Sequence, residues 1–221
     1  PKTQPEDIAW FDAAGRPPRR TGPAQGGDDG RFKVPRRGKD DMNITVYLGA
    51  NPGSDPALKR AVRELGAWIG GAGHALVYGG SKSGLMGELA QSVLKTGGRV
   101  IGVEPQFFVD AGFVYDAIDQ LFVTQDMSER KAKMIALGNA FIAFPGGTGT
   151  LEEIAEVMSK IALGHLDAPC ILFDLNGYYE GMRILLDTML EKALSTPEKQ
   201  RGIRFAKNLE EIAAILAEST D

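Results

Sequence analysis

From Asn43 onward, short apolar runs alternate with longer stretches of helical spacing, and this alternation is what most limits the fold. The runs are NITVYLGA (43–50), HALVYGG (74–80), RVIGVEP (99–105), QLFVTQ (120–125), AFIAFPGG (140–147) and PCILFDLN (169–176). Most are separated by amphipathic stretches such as DPALKRAVRELGAWI, GLMGELAQSVLKTG and LEEIAEVMSKIALG. Runs rich in Val, Ile and Phe without in–out alternation are buried on both faces, as in a parallel sheet. Strands alternating with helices imply crossover units. The expected fold is therefore a single α/β domain, doubly wound and Rossmann-like, with a mainly parallel sheet and helices on both faces. Ligands in such folds sit at the carboxyl ends of the strands. Glycines collect at those ends: Gly49, Gly79–Gly80 and Gly146–Gly147.

Residues 1–41 differ from the rest. They hold 6 of the 12 prolines and show neither apolar periodicity nor enough hydrophobic mass to bury. This segment is expected to be a disordered or loosely attached extension. Its nine Lys/Arg against seven Asp/Glu fit a solvated tail better than a nucleic-acid arm. The folded domain is expected over 42–221. The 221 residues suffice for one sizeable core, and the net charge of −4 supplies no general field for nucleic acid or an anionic membrane. The single cysteine, Cys170, lies in an apolar run and reads as a small buried hydrophobe. That usage suits a reducing cytoplasm. No stretch approaches the roughly 18 apolar residues of a membrane helix, and the start of the chain lacks the apolar core of a secretory signal. His74 and His165 are far apart and lack ligand spacing, so no metal site is expected.

In PGGTGTLEE (145–153), Pro145 stops the strand. Gly146, Gly147 and Gly149 permit positive φ and present no Cβ to an approaching group. A helix is expected from about Thr150, with its free N–H groups and dipole offering a phosphate site that needs no basic side chain. The rival reading is a capping box between Thr150 and Glu153. It would go with a buried stripe of Leu151, Ile154, Met158 and Ile161 that leaves Glu152, Glu153 and Glu156 off the core. Three glycines are more than a cap requires, which favours a ligand.

YGGSKSGLMGELA (78–90) also joins a strand to a helix, but it lacks dinucleotide and P-loop spacing. The one carboxylate at the end of the following strand is Glu104. In TQDMSERKAKM (124–134), Arg130, Lys131 and Lys133 follow a strand end, and Asp126 reads as the N-cap. That cap places Arg130 in the first helical turn, near the ligand edge, rather than on an ordinary solvated face.

Together YGGSKSGLMG (78–87), MSERKAKM (127–134) and PGGTGTLEE (145–153) resemble, in order and spacing, the signatures of the LONELY GUY family of cytokinin riboside 5′-monophosphate phosphoribohydrolases. LGHLDAPCILFDLNGYYEGM (163–182) resembles its C-terminal stretch, and the similarity spans about residues 42–218. The resemblance implies a Rossmann-like fold, a homodimer, no cofactor, and cleavage of a purine nucleoside 5′-monophosphate to free base and ribose 5-phosphate. It puts the catalytic pair on Arg130 and Glu153. Substrate binding falls on Lys131, Gly146, Gly147, Thr148, Gly149, Thr150, Glu152 and Ser159, and on Gly80 and Met86 of the first signature. Ser128 stands where many members have histidine, and Gly112 where many have an acidic residue. These departures leave adenine and N6-prenylated adenine both open as the base. The family has also carried the label of lysine decarboxylase. Nothing here supports that label, since such a pyridoxal enzyme needs a Schiff-base lysine in a much longer chain.

The implied reaction matches the residue chemistry. Breaking a ribosyl–purine bond leaves positive charge on the sugar and negative charge on the base, and a carboxylate such as Glu153 can stabilise the first. Glu152 then falls to the ribose hydroxyls, and Arg130 to the phosphate or the leaving base. Two rivals share the fold: a non-catalytic nucleotide-binding sensor and a nicotinamide-dependent oxidoreductase. The Arg130/Glu153 pairing opposes the first, and the missing dinucleotide fingerprint opposes the second.

Overall fold

The computed structural model describes residues 41–218; the N-terminal extension expected over 1–41 lies almost wholly outside the described residues. The described residues form seven strands: β1 (Asn43–Tyr47), β2 (Ala75–Tyr78), β3 (Arg99–Pro105), β4 (Gln120–Thr124), β5 (Ala140–Ala143), β6 (Cys170–Phe173) and β7 (Ile203–Ala206). Eight helices accompany them: α1 (Pro56–Gly71), α2 (Gly84–Lys95), α3 (Gln106–Asp110), α4 (Met127–Leu137), α5 (Thr148–Ala162), α6 (Glu180–Glu191), α7 (Pro197–Gln200) and α8 (Leu209–Glu218). The strands form one sheet in the order β4-β3-β2-β1-β5-β6-β7, and every neighbouring pair is parallel. The parallel sheet expected from the sequence is thus parallel throughout.

The central strands are apolar throughout because both faces are covered. Ile44 and Val46 of β1 share one core with Val62, Leu65 and Ile69 of α1 and with Leu89 and Val93 of α2. Ile212 and Leu216 of α8 join the same layer. Tyr47 of β1 packs in the other core with Met134 and Leu137 of α4 and with Ile154 and Val157 of α5. The helix starts are written locally. Asp55 caps α1 by accepting from Ala57 N at 2.8 Å, with Pro56 in the first turn.

β7 has no counterpart among the six apolar runs. It is an edge strand whose middle residue, Arg204, is exposed between Ile203 and Phe205. Half-solvated edges interrupt the apolar run that marks a buried strand.

The winding direction reverses at β1. The chain adds β2, β3 and β4 on one side, then returns to place β5 on the other, with Val46 opposite Ile142 and Tyr47 opposite Ala143. The crevice beyond the carboxyl ends of β1 and β5 is the topological switch point, where open α/β sheets bind ligands. The PGGTGT turn follows β5 directly into this crevice. The segment after β6 holds it from one side: Tyr178 donates its hydroxyl to the Gly146 carbonyl, and Tyr179 donates to Phe144 O at 2.9 Å. Tyr179 is itself fixed by its backbone N–H, which donates to the buried Asp174 carboxylate at 2.6 Å. Tyr179→Phe is expected to cost about 1 kcal/mol of stability, the net worth of one buried hydrogen bond. Urea denaturation measures this, and an unchanged midpoint would mean that the hydroxyl contributes nothing.

Candidate functional site

Helix α5 starts two residues earlier than its sequence pattern suggests. Gly147 is the N-cap and no side chain caps it. The first intrahelical bond runs from Leu151 N–H to Gly147 O at 3.1 Å, so the N–H groups of Thr148, Gly149 and Thr150 precede it at the helix mouth. With Thr150 already inside the helix, the Thr150–Glu153 capping box does not form. The expected stripe is corrected too. Thr150, Glu153, Ile154 and Val157 are buried, whereas Leu151 is 44% exposed. A reciprocal cap of that type occurs instead at α4, where Glu129 N donates to Asp126 at 2.9 Å and Gln125 N donates to Glu129 at 2.7 Å.

The glycines of the turn serve two purposes. None of Gly146, Gly147 and Gly149 uses the positive φ that glycine permits. A Cβ at Gly146 would collide with the Thr150 side chain, so its absence allows the turn to close. A Cβ at Gly147 or Gly149 would meet nothing within 4 Å among the described residues. Neither packing nor backbone conformation demands glycine at those two positions. What they provide is bare backbone beside unpaired N–H groups, the arrangement that receives an anion.

Glu153, released from capping, turns to Arg130. That residue enters from the first turn of α4 and is 7% exposed, as is Glu153. Arg130 Nη1 donates to Glu153 Oε1 at 3.2 Å and Nε donates to Val103 O at 3.0 Å, which lays the guanidinium across the end of β3. Gly79 makes the passage possible, since a Cβ there would collide with Arg130 Nη2. Met86 lies against the same glycine, its sulfur 3.2 Å from where that Cβ would stand. Outside this pair, Lys131 Nζ contacts Glu152 at 2.6 Å and Glu156 at 3.3 Å. Adjacent residues of α4 thus pair with adjacent residues of α5, one pair inside and one at the surface. Hydrogen bonding to Glu152 and Glu156 raises the Lys131 pKa and holds its charge.

The structure brings Arg130, Glu153, Gly80 and Met86 together, with Gly146 to Thr150 at the helix mouth beside them. Lys131 and Glu152 lie one layer out, paired with each other. Ser159 is not brought in. It is exposed, about 9 Å further along α5 from Glu153, on the side of Glu152 and Glu156.

Three further residues complete the centre; sequence reasoning assigned no part in it to Tyr47 or Tyr78, and met Glu104 only as the one strand-end carboxylate that could serve a ribose hydroxyl. Glu104, the penultimate residue of β3, is 3% exposed, with its carboxylate 3.9 Å from Arg130 Nε. Its sequence signal was an acidic residue directly after the apolar run VIGV (100–103). The buried hydroxyls of Tyr47 and Tyr78, at the ends of β1 and β2, have no hydrogen-bond partner among the described residues. Burial pushes the Glu153 carboxyl up to about 7 against the pull of Arg130, and pushes Glu104 up to about 7 as well, where the charge of Glu153 adds to the effect. Among the described residues no group of His, Cys, Asp and Glu forms a metal site.

The family model described as "Possible lysine decarboxylase" matches residues 86–216. A cytokinin riboside 5′-monophosphate phosphoribohydrolase of Rhodococcoides fascians is 38% identical over 175 residues, 78% of this chain and 88% of that protein. Another, from Arabidopsis thaliana, is 36% identical over 169 residues, 76% of this chain and 79% of that one. The chain belongs to the LONELY GUY family. Two solved structures share the fold of this LONELY GUY chain. The molybdenum cofactor carrier protein of Chlamydomonas reinhardtii aligns with TM-score 0.63 at 22% identity, over 81% of this chain and 98% of its own. The molybdenum cofactor binding protein of Rippkaea orientalis aligns with TM-score 0.59 at 24% identity, over 80% and 96%. The three LONELY GUY signatures, scattered over some 75 residues of sequence, meet at the guanidinium of Arg130.

Two outcomes are expected. Gly149→Ala should leave the melting temperature unchanged or higher, because alanine is the better helix former. It should weaken binding of a nucleoside monophosphate about tenfold or more in calorimetric titration, through loss of one charge-assisted hydrogen bond. Unchanged affinity would remove this helix mouth from the site. The second concerns pH. Because the folded pKa values of Glu104 and Glu153 lie above the usual carboxylate value, the folded chain retains protons that the unfolded chain has lost. The stability these groups contribute is present at about pH 4.5 and is lost as pH rises through about 7. Glu104→Gln should therefore gain melting temperature relative to wild type between pH 5 and pH 8; a constant difference across that range would contradict the shift.

Proposed function

We propose that this chain hydrolyses the N-glycosidic bond of a purine nucleoside 5′-monophosphate, AMP or its N6-prenylated form, releasing the base and ribose 5-phosphate. The activity named for its relatives supports this reading. The observation that carries it is the buried Arg130–Glu153 pair set one turn inside the uncapped mouth of α5, at the switch point of the sheet. From Gly149 to Glu153 is about 6 Å along the helix axis, on the order of the span from a 5′-phosphate to the anomeric carbon. A phosphate received by the N–H groups of Thr148, Gly149 and Thr150 thus leaves the sugar facing Glu153. As the C1′–N9 bond breaks, the carboxylate stabilises the developing ribosyl cation and orients the attacking water. Arg130 offsets the burial cost of that charge. Lys131, bound to Glu152 and Glu156, fixes α4 against α5 and so holds the pair in register.

The working unit we propose is a cytoplasmic homodimer that acts on a small nucleotide and binds neither nucleic acid nor membrane. Exposed Ile184 and Leu185 on α6 supply apolar surface for self-association. No described helix is long and apolar enough to cross a membrane.

Incubation with AMP, N6-isopentenyl-AMP and adenosine, followed by chromatography of the released base, tests the reading. The monophosphates should turn over and adenosine should be far poorer, lacking several charge-assisted hydrogen bonds of about 1.5–3 kcal/mol each. Glu153→Gln should still bind AMP but release base at least about a hundredfold more slowly. Nucleotide binding without base release by the wild-type protein would favour a sensor instead.

A further inference from the structure

Cleavage of a purine nucleotide, the reading on which this inference rests, also calls for a proton on the departing base. Arg130 cannot supply it, since a guanidinium does not deprotonate in proteins. The ammonium of Lys131 is held by Glu152 and Glu156. His74 and His165 precede β2 and β6 and so lie at the amino ends of the strands, away from the crevice.

Glu104 meets the requirement. Two buried carboxylates face one guanidinium, so ionising both leaves an uncompensated negative charge out of water, which is costly. Glu153 accepts a hydrogen bond from Arg130 at 3.2 Å, whereas Glu104 stands 3.9 Å away without one. The charge therefore settles on Glu153 and the proton on Glu104, and the pair titrates as a unit. The groups facing Glu104 are Arg130 from α4, Glu153 from α5 and Tyr78 from β2, and Tyr115 from the segment after α3 faces Tyr78 in turn. Those facing Glu153 are Arg130, Lys131, Glu152 and Tyr47. Burial has moved the Glu104 and Glu153 carboxyls up to near neutrality.

Part of the cover over Glu104 is side-chain-free backbone. Gly80 lies over it in a positive-φ conformation, and a Cβ there would stand 3.2 Å from Glu104 Cβ and 3.6 Å from its carboxyl carbon. The unpartnered hydroxyl of Tyr78, 0% exposed, ends the strand beside it.

We propose that Glu104 is a second catalytic acid of this site, giving its carboxyl proton to the purine while ionised Glu153 faces the ribosyl cation. The C1′–N9 bond breaks with its electron pair passing to the purine, which takes the proton from Glu104. Water adds hydroxide to C1′ and gives its remaining proton to Glu153. The site ends with Glu104 ionised and Glu153 protonated, at unchanged total charge, and one proton exchange with solvent restores the starting state. Division of acid and charge-bearing roles between two carboxyls is the arrangement that glycoside hydrolysis generally uses.

The test compares wild type with Glu104→Gln on AMP and on the para-nitrophenyl riboside 5-phosphate, whose phenolate leaves without a proton. With AMP, wild-type kcat/KM should trace a bell against pH, and Glu104→Gln should lose the alkaline limb and about a hundredfold or more in kcat. With the nitrophenyl substrate the same variant should be slowed far less. Equal slowing on both substrates, or an unchanged alkaline limb, overturns the assignment. Infrared spectroscopy supplies a readout independent of turnover: a protonated-carboxyl band in wild type at pH 7, lost in Glu104→Gln. Absence of the band in wild type also overturns it. If wild type releases no base from any purine 5′-monophosphate, the hydrolase reading itself falls; base release with Glu104 unprotonated overturns this inference alone.

Discussion

The guanidinium of Arg130 joins elements that the backbone alone would leave apart. It leaves α4, crosses the end of β3 through its bond to Val103 O, passes beneath Gly79 of the β2 turn, and ends on Glu153 of α5. A buried ion pair is a poor source of net stability, because desolvation consumes most of the Coulombic gain. Its value here is placement. A buried cation that cannot lose its proton admits only arrangements that supply it with acceptors, and those acceptors come from β3 and α5, elements far apart in sequence.

That constraint explains why so much charge lies out of water in one small volume. One guanidinium compensates one carboxylate, yet Glu104 and Glu153 are both buried against it. The surplus holds both carboxyls near neutral pKa, a condition useful for proton transfer and unnecessary for a core. The unpartnered hydroxyls of Tyr47 and Tyr78 add to the same imbalance. Unsatisfied buried polar groups concentrate where a chain does work besides folding. Here they gather at the switch point, between the two directions in which the sheet is wound.

The glycine-rich turns look alike in sequence and differ in physics. Gly79 and Gly80 are required by neighbours within the chain, Arg130 and Glu104. Gly147 and Gly149 are required by none, and they leave the mouth of α5 open. The distinction depends on what lies within a few ångströms of an absent Cβ, which no spacing rule encodes. The same holds for Thr150 and Glu153. Their T-x-x-E spacing satisfies the capping pattern, but the helix begins at Thr148, and Glu153 is drawn inward by a partner 23 residues earlier.

The amino-acid sequence alone determined the layer architecture, the places where strands give way to helices, and the three family signatures. These depend on local quantities: apolar runs for two-sided burial, Asp55 and Asp126 for helix starts, glycines for bare turns. β7 escaped because an edge strand with exposed Arg204 lacks the continuous apolar run. Only the tertiary structure decided that Glu153 is buried while Glu152 is not, that Leu151 faces outward, and that Ser159 lies apart from the centre. It alone decided that the buried Glu104 carboxylate stands 3.9 Å from Arg130. A residue's charge state and partners depend on long-range contacts and on the dielectric they create, and neither is a property of neighbouring letters.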